Sequence, residues 1–189
     1  MSNDHNGSSA LPDIQKTQDT RGIEIDRVGV SNVRYPLTLP LRDGGEFNTV
    51  ASLSLTVSLP HVQKGTHMSR FMVALNEQNH RFRPDMVHTV LEELLQQMDA
   101  EEVFLDMEFP VFLKRAAPVS GIEGLLDYNC FFRTMLTEDG HSDKLVGVHA
   151  NVTSCCPCSK EISQYGAHNQ RSEVSITVRP GPDQLVWLE

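Results

Sequence analysis

The residues VASLSLTVSL, at positions 50–59, carry the clearest secondary-structure signal in the chain. From position 51 onward, an apolar residue occupies every second position and Ser or Thr stands between. A period of two places the apolar side chains on one face of an extended strand and the polar side chains on the other. The stretch therefore predicts a β-strand with one face packed against a core, ending before Pro60.

Further strands are predicted on both sides of this one. Residues 28–41 read as an extended segment, and Pro36 and Pro40 within it are typical of an edge strand. Residues 43–45, Asp-Gly-Gly, predict the hairpin turn between the first two strands, because glycine accepts a positive φ. Alternating or β-rich patterns predict four more strands downstream: residues 103–109 continuing towards 115, 126–136, 144–152 and 173–179.

Two amphipathic helices are predicted between the second and third strands. In the first, apolar residues recur at helical spacing from Met68 to Leu75. In the second, Pro84 and Asp85 mark the start. Its buried stripe is predicted to consist of Val87, Val90, Leu91, Leu94, Leu95 and Met98. This order of elements predicts an α+β fold, an antiparallel sheet with the two helices on one face.

One domain is predicted, covering residues 21–182. Residues 1–20 are polar and contain too few apolar side chains to pack, so we expect a flexible tail. Near the other end, two prolines interrupt the last strand, and an apolar helix is predicted to begin at Asp183. It would stop after about two turns, which is shorter than an isolated helix sustains. We therefore expect residues 183–189 to be the start of a truncated helix.

Composition excludes several classes of protein. The formal net charge is −9, which argues against a nucleic-acid binder or a protein that binds anionic membranes, since both need a positive field. No apolar run approaches the ~18 residues of a membrane helix. The first 19 residues have no apolar segment of the kind found in signal peptides. We expect a cytoplasmic protein with reduced cysteines.

The chemically densest segment is NVTSCCPCSKEISQYGAHNQRS, residues 151–172, which holds three of the four cysteines. Thiolate and neutral imidazole are preferred ligands of zinc and related metals, and a polar segment between Cys156 and His168 could fold back to bring both to one ion. The segment has no second ligand pair to close a tetrahedral structural site. Two other readings stay open: a thiol–disulfide centre of Cys155 and Cys158, and unreactive structural thiols.

The same segment resembles a known signature. The run SCCPCSKEISQYGAHNQRS, at positions 154–172, resembles that of the type IB GTP cyclohydrolases. LPHVQKGTHMSRF at 59–71 and APVSGIEGLLDY at 117–128 match the same family in the same order, and the resemblance runs from about residue 19 to the end. It implies a tunnelling fold, in which several units close a barrel of sheets and form sites between subunits. A homo-oligomer, a tetramer in the family, is therefore expected.

The resemblance also implies a reaction. It would be the hydrolytic opening of the guanine ring of GTP to 7,8-dihydroneopterin triphosphate and formate, the first step of tetrahydrofolate synthesis. Cys156 and His168 would ligate a divalent metal (Zn, Mn or Fe) that activates water. The third protein ligand would fall in a second half that the family carries and this sequence lacks. Cys158 would lie beside the substrate, so the implied catalytic residues are Cys156, Cys158 and His168. The candidate substrate-binding residues are Lys64, His67, Arg70, Ser120, Lys160 and Arg171.

Two alternatives remain within this resemblance. The chain is an inactive, metal-binding remnant of the enzyme, or it is one of the related tunnelling-fold nitrile reductases of queuosine synthesis. Those reductases use a cysteine nucleophile and no catalytic metal, so a chelator distinguishes them from a cyclohydrolase.

Overall fold

The chain folds into an α+β structure with six strands and three helices among the residues described. A computed structural model describes residues 19–77, 87–181, 184 and 186–188. The order of elements is ββααβββαβ. The elements are β1 Ile25–Pro40, β2 Glu46–Leu59, α1 Met68–Glu77, α2 Val87–Met98, β3 Glu102–Ala116, β4 Glu123–Thr137, β5 Ser142–Cys155, α3 Pro157–Ile162 and β6 Asn169–Val178. The predicted α+β class is confirmed.

All six strands form one antiparallel sheet in the order β1-β2-β3-β4-β5-β6. Each strand pairs with its predecessor in the sequence, so β1 and β6 are the two edges. The edge position predicted for β1 is confirmed, and it suits Pro36 and Pro40, which have no N–H to donate to a ladder. The predicted turn joins β1 to β2: Leu41 N–H donates to the Gly45 carbonyl over 2.9 Å, and Gly44 has a φ of +88°.

The core lies between one face of the sheet and helices α1 and α2. Leu53, Leu55 and Val57 of β2 are buried, and they share this core with the predicted stripe of α2 and with the α1 stripe apart from Met68, which is 41% exposed. Leu94 of α2 is fully buried. Tyr35 O–H donates to the Leu75 carbonyl over 2.6 Å and ties β1 to α1. Because the buried residues of β2 are the odd-numbered set, apart from Ser58, both helices cover one face of the sheet, as predicted.

Some predictions fall on residues that the structure does not describe. Pro84 and Asp85, the predicted start of the second helix, lie outside the described residues, and so do 1–18 and Asp183. Gln184 and residues 186–188 have no helical assignment, and Gln184 N–H donates to the Gly181 carbonyl over 3.1 Å. The tail and the truncated helix stay predictions. No helix in the described ranges has the length and apolar character needed to cross a membrane.

The sheet divides into three hairpin arms at one end. The β2–β3 pairing ends at Ser52–Glu108, and the β4–β5 pairing ends at Asn129–His149. Beyond this level only β1–β2, β3–β4 and β5–β6 remain paired. We call these the β1–β2 arm (residues 34–52), the β3–β4 arm (110–129) and the β5–β6 arm (149–175). Thr49 Oγ1 donates to the Pro110 carbonyl over 2.9 Å at the base of the first two arms, but in the described residues no strand ladder joins the arm tips to one another.

The face of the sheet opposite α1 and α2, which we call the helix-free face, is also closely packed at Gly147. The substitution Gly147→Ala tests this packing. A Cβ on Gly147 of β5 would lie 2.2 and 2.4 Å from two ring carbons of Phe131 and 2.8 Å from the Ile176 carbonyl oxygen. Phe131 is buried, so its ring has little room to move. We expect Gly147→Ala to lower the free energy of unfolding by roughly 1–3 kcal/mol, measured by urea denaturation. Gly124→Ala is the control, because its Cβ would meet no atom within 4 Å; equal effects of the two would contradict the prediction.

Candidate functional site

Strands β5 and β6 bring Cys156 and His168 together. Their ladder ends at the pair Cys155–Asn169, and the next residue on each side is Cys156 or His168. Cys156 N–H donates to the His168 carbonyl oxygen over 3.2 Å. The segment between them therefore folds back, as its spacing suggested. We call this unit, residues 156–168, the Cys–His bend.

Helix α3 fills the first part of the Cys–His bend. Cys156 is its N-cap residue, with φ −70° and ψ 113°, and Pro157 follows in the first turn. Proline is favoured there because its missing N–H would have no helical partner. The Cys156 thiol makes no capping hydrogen bond, unlike the Ser, Thr or Asp oxygens usual at this position. Its sulfur is thus left uncommitted at the start of the helix.

Ser159 is a residue of the bend that sequence reasoning missed. Its hydroxyl accepts a hydrogen bond from His168 N–H over 3.2 Å. Both backbone groups of His168 are therefore bonded to the turn that begins at Cys156. The available signal was the position of Ser159, three residues after the N-cap, where polar side chains often reach back to backbone groups.

The four cysteines are all unpaired, in two environments. Cys155 and Cys158 are exposed, Cys156 is half-buried, and Cys130 is buried in the core. Burial raises the pKa of the Cys130 thiol to about 11, because a thiolate is poorly solvated there. The structure contains no Cys155–Cys158 disulfide. Cys155 is exposed at the end of β5.

The Cys–His bend fits a borderline-soft divalent metal by the chemistry of its donors. It offers one sulfur and one imidazole, the ligand types that zinc and related ions take from proteins. Within the described part of the chain, no group of three or more His, Cys, Asp or Glu residues is arranged to hold a metal ion. The bend thus carries two candidate donors, Cys156 and His168.

Three predicted substrate residues lie at the same end of the sheet as the bend. Lys160 is exposed in the last turn of α3, and Arg171 lies on β6 opposite Thr153. Ser120 lies at the tip of the β3–β4 arm, where its hydroxyl accepts from Ile122 N–H over 3.4 Å. Since this arm does not pair with β5 beyond His149, no ladder ties Ser120 to the bend.

The other three predicted substrate residues, Lys64, His67 and Arg70, lie at the opposite end of the sheet. They follow the end of β2 and approach the end of α2: the Arg70 guanidinium donates to the Gln97 carbonyl, and Thr66 O–H donates to the Met98 sulfur over 3.3 Å. Lys64 itself is exposed.

Strand pairing shows that the two groups of predicted substrate residues lie at opposite ends of the sheet. Val57, near the end of β2, pairs with Val103. Leu136 pairs with both Val103 and Ser142, so the end of β2 is level with the start of β5. The 14 residues of β5 then span about 40 Å at ~3.3 Å per residue. A single chain therefore does not bring Lys64, His67 and Arg70, which we call the Lys64 loop, close to the Cys–His bend.

A groove lies where the three arms separate. It has a volume of about 570 Å³, and its lining includes Arg34, Glu108, Asn129 and His149. His149 Nδ1 is buried without a hydrogen-bond partner; the Glu173 carboxylate lies 3.8 Å away, within ion-pair range but too far for a hydrogen bond. His149 precedes Cys156 by seven positions, about 23 Å along β5. The groove and the Cys–His bend are separate features of one sheet.

The fold and the bend define a class: an α+β protein whose antiparallel sheet ends in a cysteine–histidine pair suited to a divalent metal. Comparison with known proteins names the family. The family model described as type I GTP cyclohydrolase folE2 matches residues 11–189, and the chain belongs to this family. The resemblance read from the three sequence motifs is confirmed.

Curated relatives agree with this family. Each of the following is named GTP cyclohydrolase FolE2. The protein of Magnetococcus marinus is 45% identical over 179 residues, 95% of this chain and 66% of its own length. That of Geobacter metallireducens is 43% identical over 181 residues, 96% and 68%. That of Ralstonia nicotianae is 44% identical over 186 residues, 97% and 68%. The chain spans about two thirds of the length of these relatives.

Thiol reactivity tests the cysteine environments. At pH 8 we expect iodoacetamide to modify Cys155, Cys156 and Cys158 in the folded chain and to spare Cys130. The buried Cys130 thiol stays neutral until the pH approaches 11, and unfolding in urea returns it to the ordinary range near 9.0 and exposes it. Peptide mass spectrometry counts the modified sites. Modification of Cys130 in the native chain at the rate of Cys158 would contradict this assignment.

Proposed function

We propose that this chain acts as a GTP cyclohydrolase, opening the guanine ring of GTP with one water to give 7,8-dihydroneopterin triphosphate and formate. This reaction begins pterin and tetrahydrofolate synthesis. The single observation that carries the proposal is the Cys–His bend, in which Cys156 N–H donates to the carbonyl of His168. Membership of the family supports the same reaction.

Cys156 and His168 would hold a divalent metal, Zn, Mn or Fe. When bound, such a metal lowers the pKa of a coordinated water towards ~7, so that hydroxide is available at neutral pH. The bend holds the two donor residues by their backbones before any ion arrives, which reduces the entropy lost on binding. Cys158 is exposed in the first turn of α3, two positions after Cys156, and in this proposal its thiol faces the substrate.

The triphosphate of GTP requires local cations, since the chain as a whole carries −9. Lys160 and Arg171 supply them near the bend, with Ser120 as a further polar contact. Lys64 and Arg70 supply a second set of cations at the other end of the sheet, with His67 as a further polar contact. A site that uses both sets must combine two copies of the chain, because one copy holds them at opposite ends of strands that are about 40 Å long.

This requirement supports the proposal of a tunnelling-fold homo-oligomer, tetrameric in the family, with sites between subunits. Exposed apolar side chains support it as well. Val119 is 99% exposed, and Ile122 and Leu125 are 72% and 65% exposed in the β3–β4 arm. Apolar surface of this kind on an extended hairpin is a common mark of an interface. The exposed, unpaired Cys155 and Cys158 fit the reducing cytoplasm.

Two alternatives compete with this proposal. The nitrile reductase is disfavoured, because a cyclohydrolase family model matches residues 11–189. An inactive metal-binding form is favoured by one observation: the described residues contain no three-ligand group. It predicts metal bound to the chain without turnover of GTP.

Cyclohydrolase activity is tested with GTP and Zn²⁺, Mn²⁺ or Fe²⁺, reading fluorescent pterin after oxidation. We expect Cys156→Ser and His168→Ala each to reduce product formation by more than about 100-fold. This is a larger loss than is found when a residue that only hydrogen-bonds to a metal ligand is replaced. Cys155→Ser is the matched control and should keep most of the activity, since Cys155 lies on the strand before the bend.

Two outcomes would contradict the proposal. Turnover that persists in both variants, or after dialysis against a chelator, excludes a metal held by the bend. Stoichiometric metal by elemental analysis with no pterin from the wild-type chain supports the inactive form instead.

The two-copy site is tested by complementation. Lys64→Ala should lower activity about tenfold or more, the value of a charged contact to phosphate, and Cys156→Ser should nearly abolish it. In oligomers assembled from equal amounts of both variants, about one site in four would take an intact Lys64 from one copy and an intact Cys156 from another. We therefore expect roughly a quarter of wild-type activity. Activity no higher than the mean of the separate variants would contradict a site shared between copies.

A further inference from the structure

We propose that Ser159 is a positioning residue that sets the distance between the two metal donors, Cys156 and His168. The inference rests on the proposed function, because it gives Ser159 a role only if the bend binds an ion. It adds a residue outside the predicted catalytic and substrate-binding set.

Two hydrogen bonds close the bend on itself, and another forms the first turn of α3 between them. Cys156 N–H donates to the His168 carbonyl over 3.2 Å, and Lys160 N–H donates to the Cys156 carbonyl over 3.1 Å. The Ser159 hydroxyl accepts from His168 N–H over 3.2 Å. The first and third bonds reach His168 from the two ends of one helical turn. The backbone of His168 is thereby held against the same turn that carries the Cys156 sulfur.

The Ser159 bond is the one that sequence changes can remove cleanly. The other two join backbone groups, whereas this one depends on a single hydroxyl. Without it, His168 keeps one bond, at its carbonyl, and its peptide can pivot about that bond. The imidazole then samples more positions relative to the sulfur, and more conformational entropy is lost when both donors bind one ion.

If Ser159 only stabilised the fold, its replacement would lower the stability of the chain at least as much as its metal affinity. His168 is exposed, so after loss of Ser159 its N–H can bond to water and the fold should lose little stability. A change in metal affinity that exceeds any change in stability therefore identifies positioning.

The test uses Co²⁺ alone as the probe, titrated into the 189-residue chain and followed by the thiolate-to-cobalt absorption band. We expect Ser159→Ala to raise the Kd for Co²⁺ about tenfold, as found for residues that orient metal ligands. Ser159→Thr keeps the hydroxyl and should restore the affinity to within about threefold. Ser163→Ala, at the other end of α3, is the matched control and should bind as the wild type does. Thermal unfolding of each variant, without metal, measures stability.

The outcomes separate the two proposals. If Cys156→Ser removes the absorption band but Ser159→Ala binds Co²⁺ as tightly as the wild type, the positioning role is wrong and the metal site stands. If the wild type gives no thiolate band, the metal site fails and the role of Ser159 with it.

A measurement on the wild type needs no variant to fold. Co²⁺ should slow amide hydrogen exchange at His168, because loading the ion holds the bend closed and protects its bond to Ser159. Unchanged exchange at His168 in the loaded chain would overturn the inference.

Discussion

The pairing of β5 with β6 is the constraint on which the candidate site depends. All 10 residues of β6 pair with β5, although every one of them is exposed. Each backbone hydrogen bond contributes only about 0.5–1.5 kcal/mol net, but together they fix the register. A register that places Cys155 opposite Asn169 also places Cys156 beside His168. A shift by one residue would turn every β6 side chain to the other face and separate the two donors.

The hydrophobic core supports this edge from a distance. Burial is concentrated in β1–β4 with α1 and α2, whereas β5 contributes partly buried valines and β6 none. The site therefore lies on the least buried part of the sheet, where local opening is least costly. In our proposal, such an arrangement suits a site that is completed by groups from a second copy of the chain. It also makes the hydrogen bonds inside the bend important, since packing alone does not hold His168.

Charge is organised by position in the fold. A chain of net charge −9 can attract a triphosphate only where cations collect without nearby acids. The helix-free face is instead internally neutralised: Arg27 lies 3.2 Å from Asp106 and over the ring of Phe104, and Arg133 approaches Glu108 at 3.5 Å. The cations of the Lys64 loop and the Cys–His bend lie at opposite ends of the strands, outside this network. Assembly, in our proposal, is what joins them.

The sequence by itself determined the six strands, helices α1 and α2, and the cysteine and histidine that flank the bend, whereas α3 was not predicted. Alternation in residues 51–59 and the stripe from Val87 to Met98 predicted a strand and a helix correctly, because local periodicity follows directly from backbone geometry. The Cys156–His168 pair was also visible, since its donors are close in sequence. The tertiary structure alone decided what depends on distant pairing. It separated Lys64 from the bend, divided the sheet into arms, and committed the Ser159 hydroxyl to His168. None of these follows from local pattern, because strand register and contacts between distant residues arise only when the whole sheet forms.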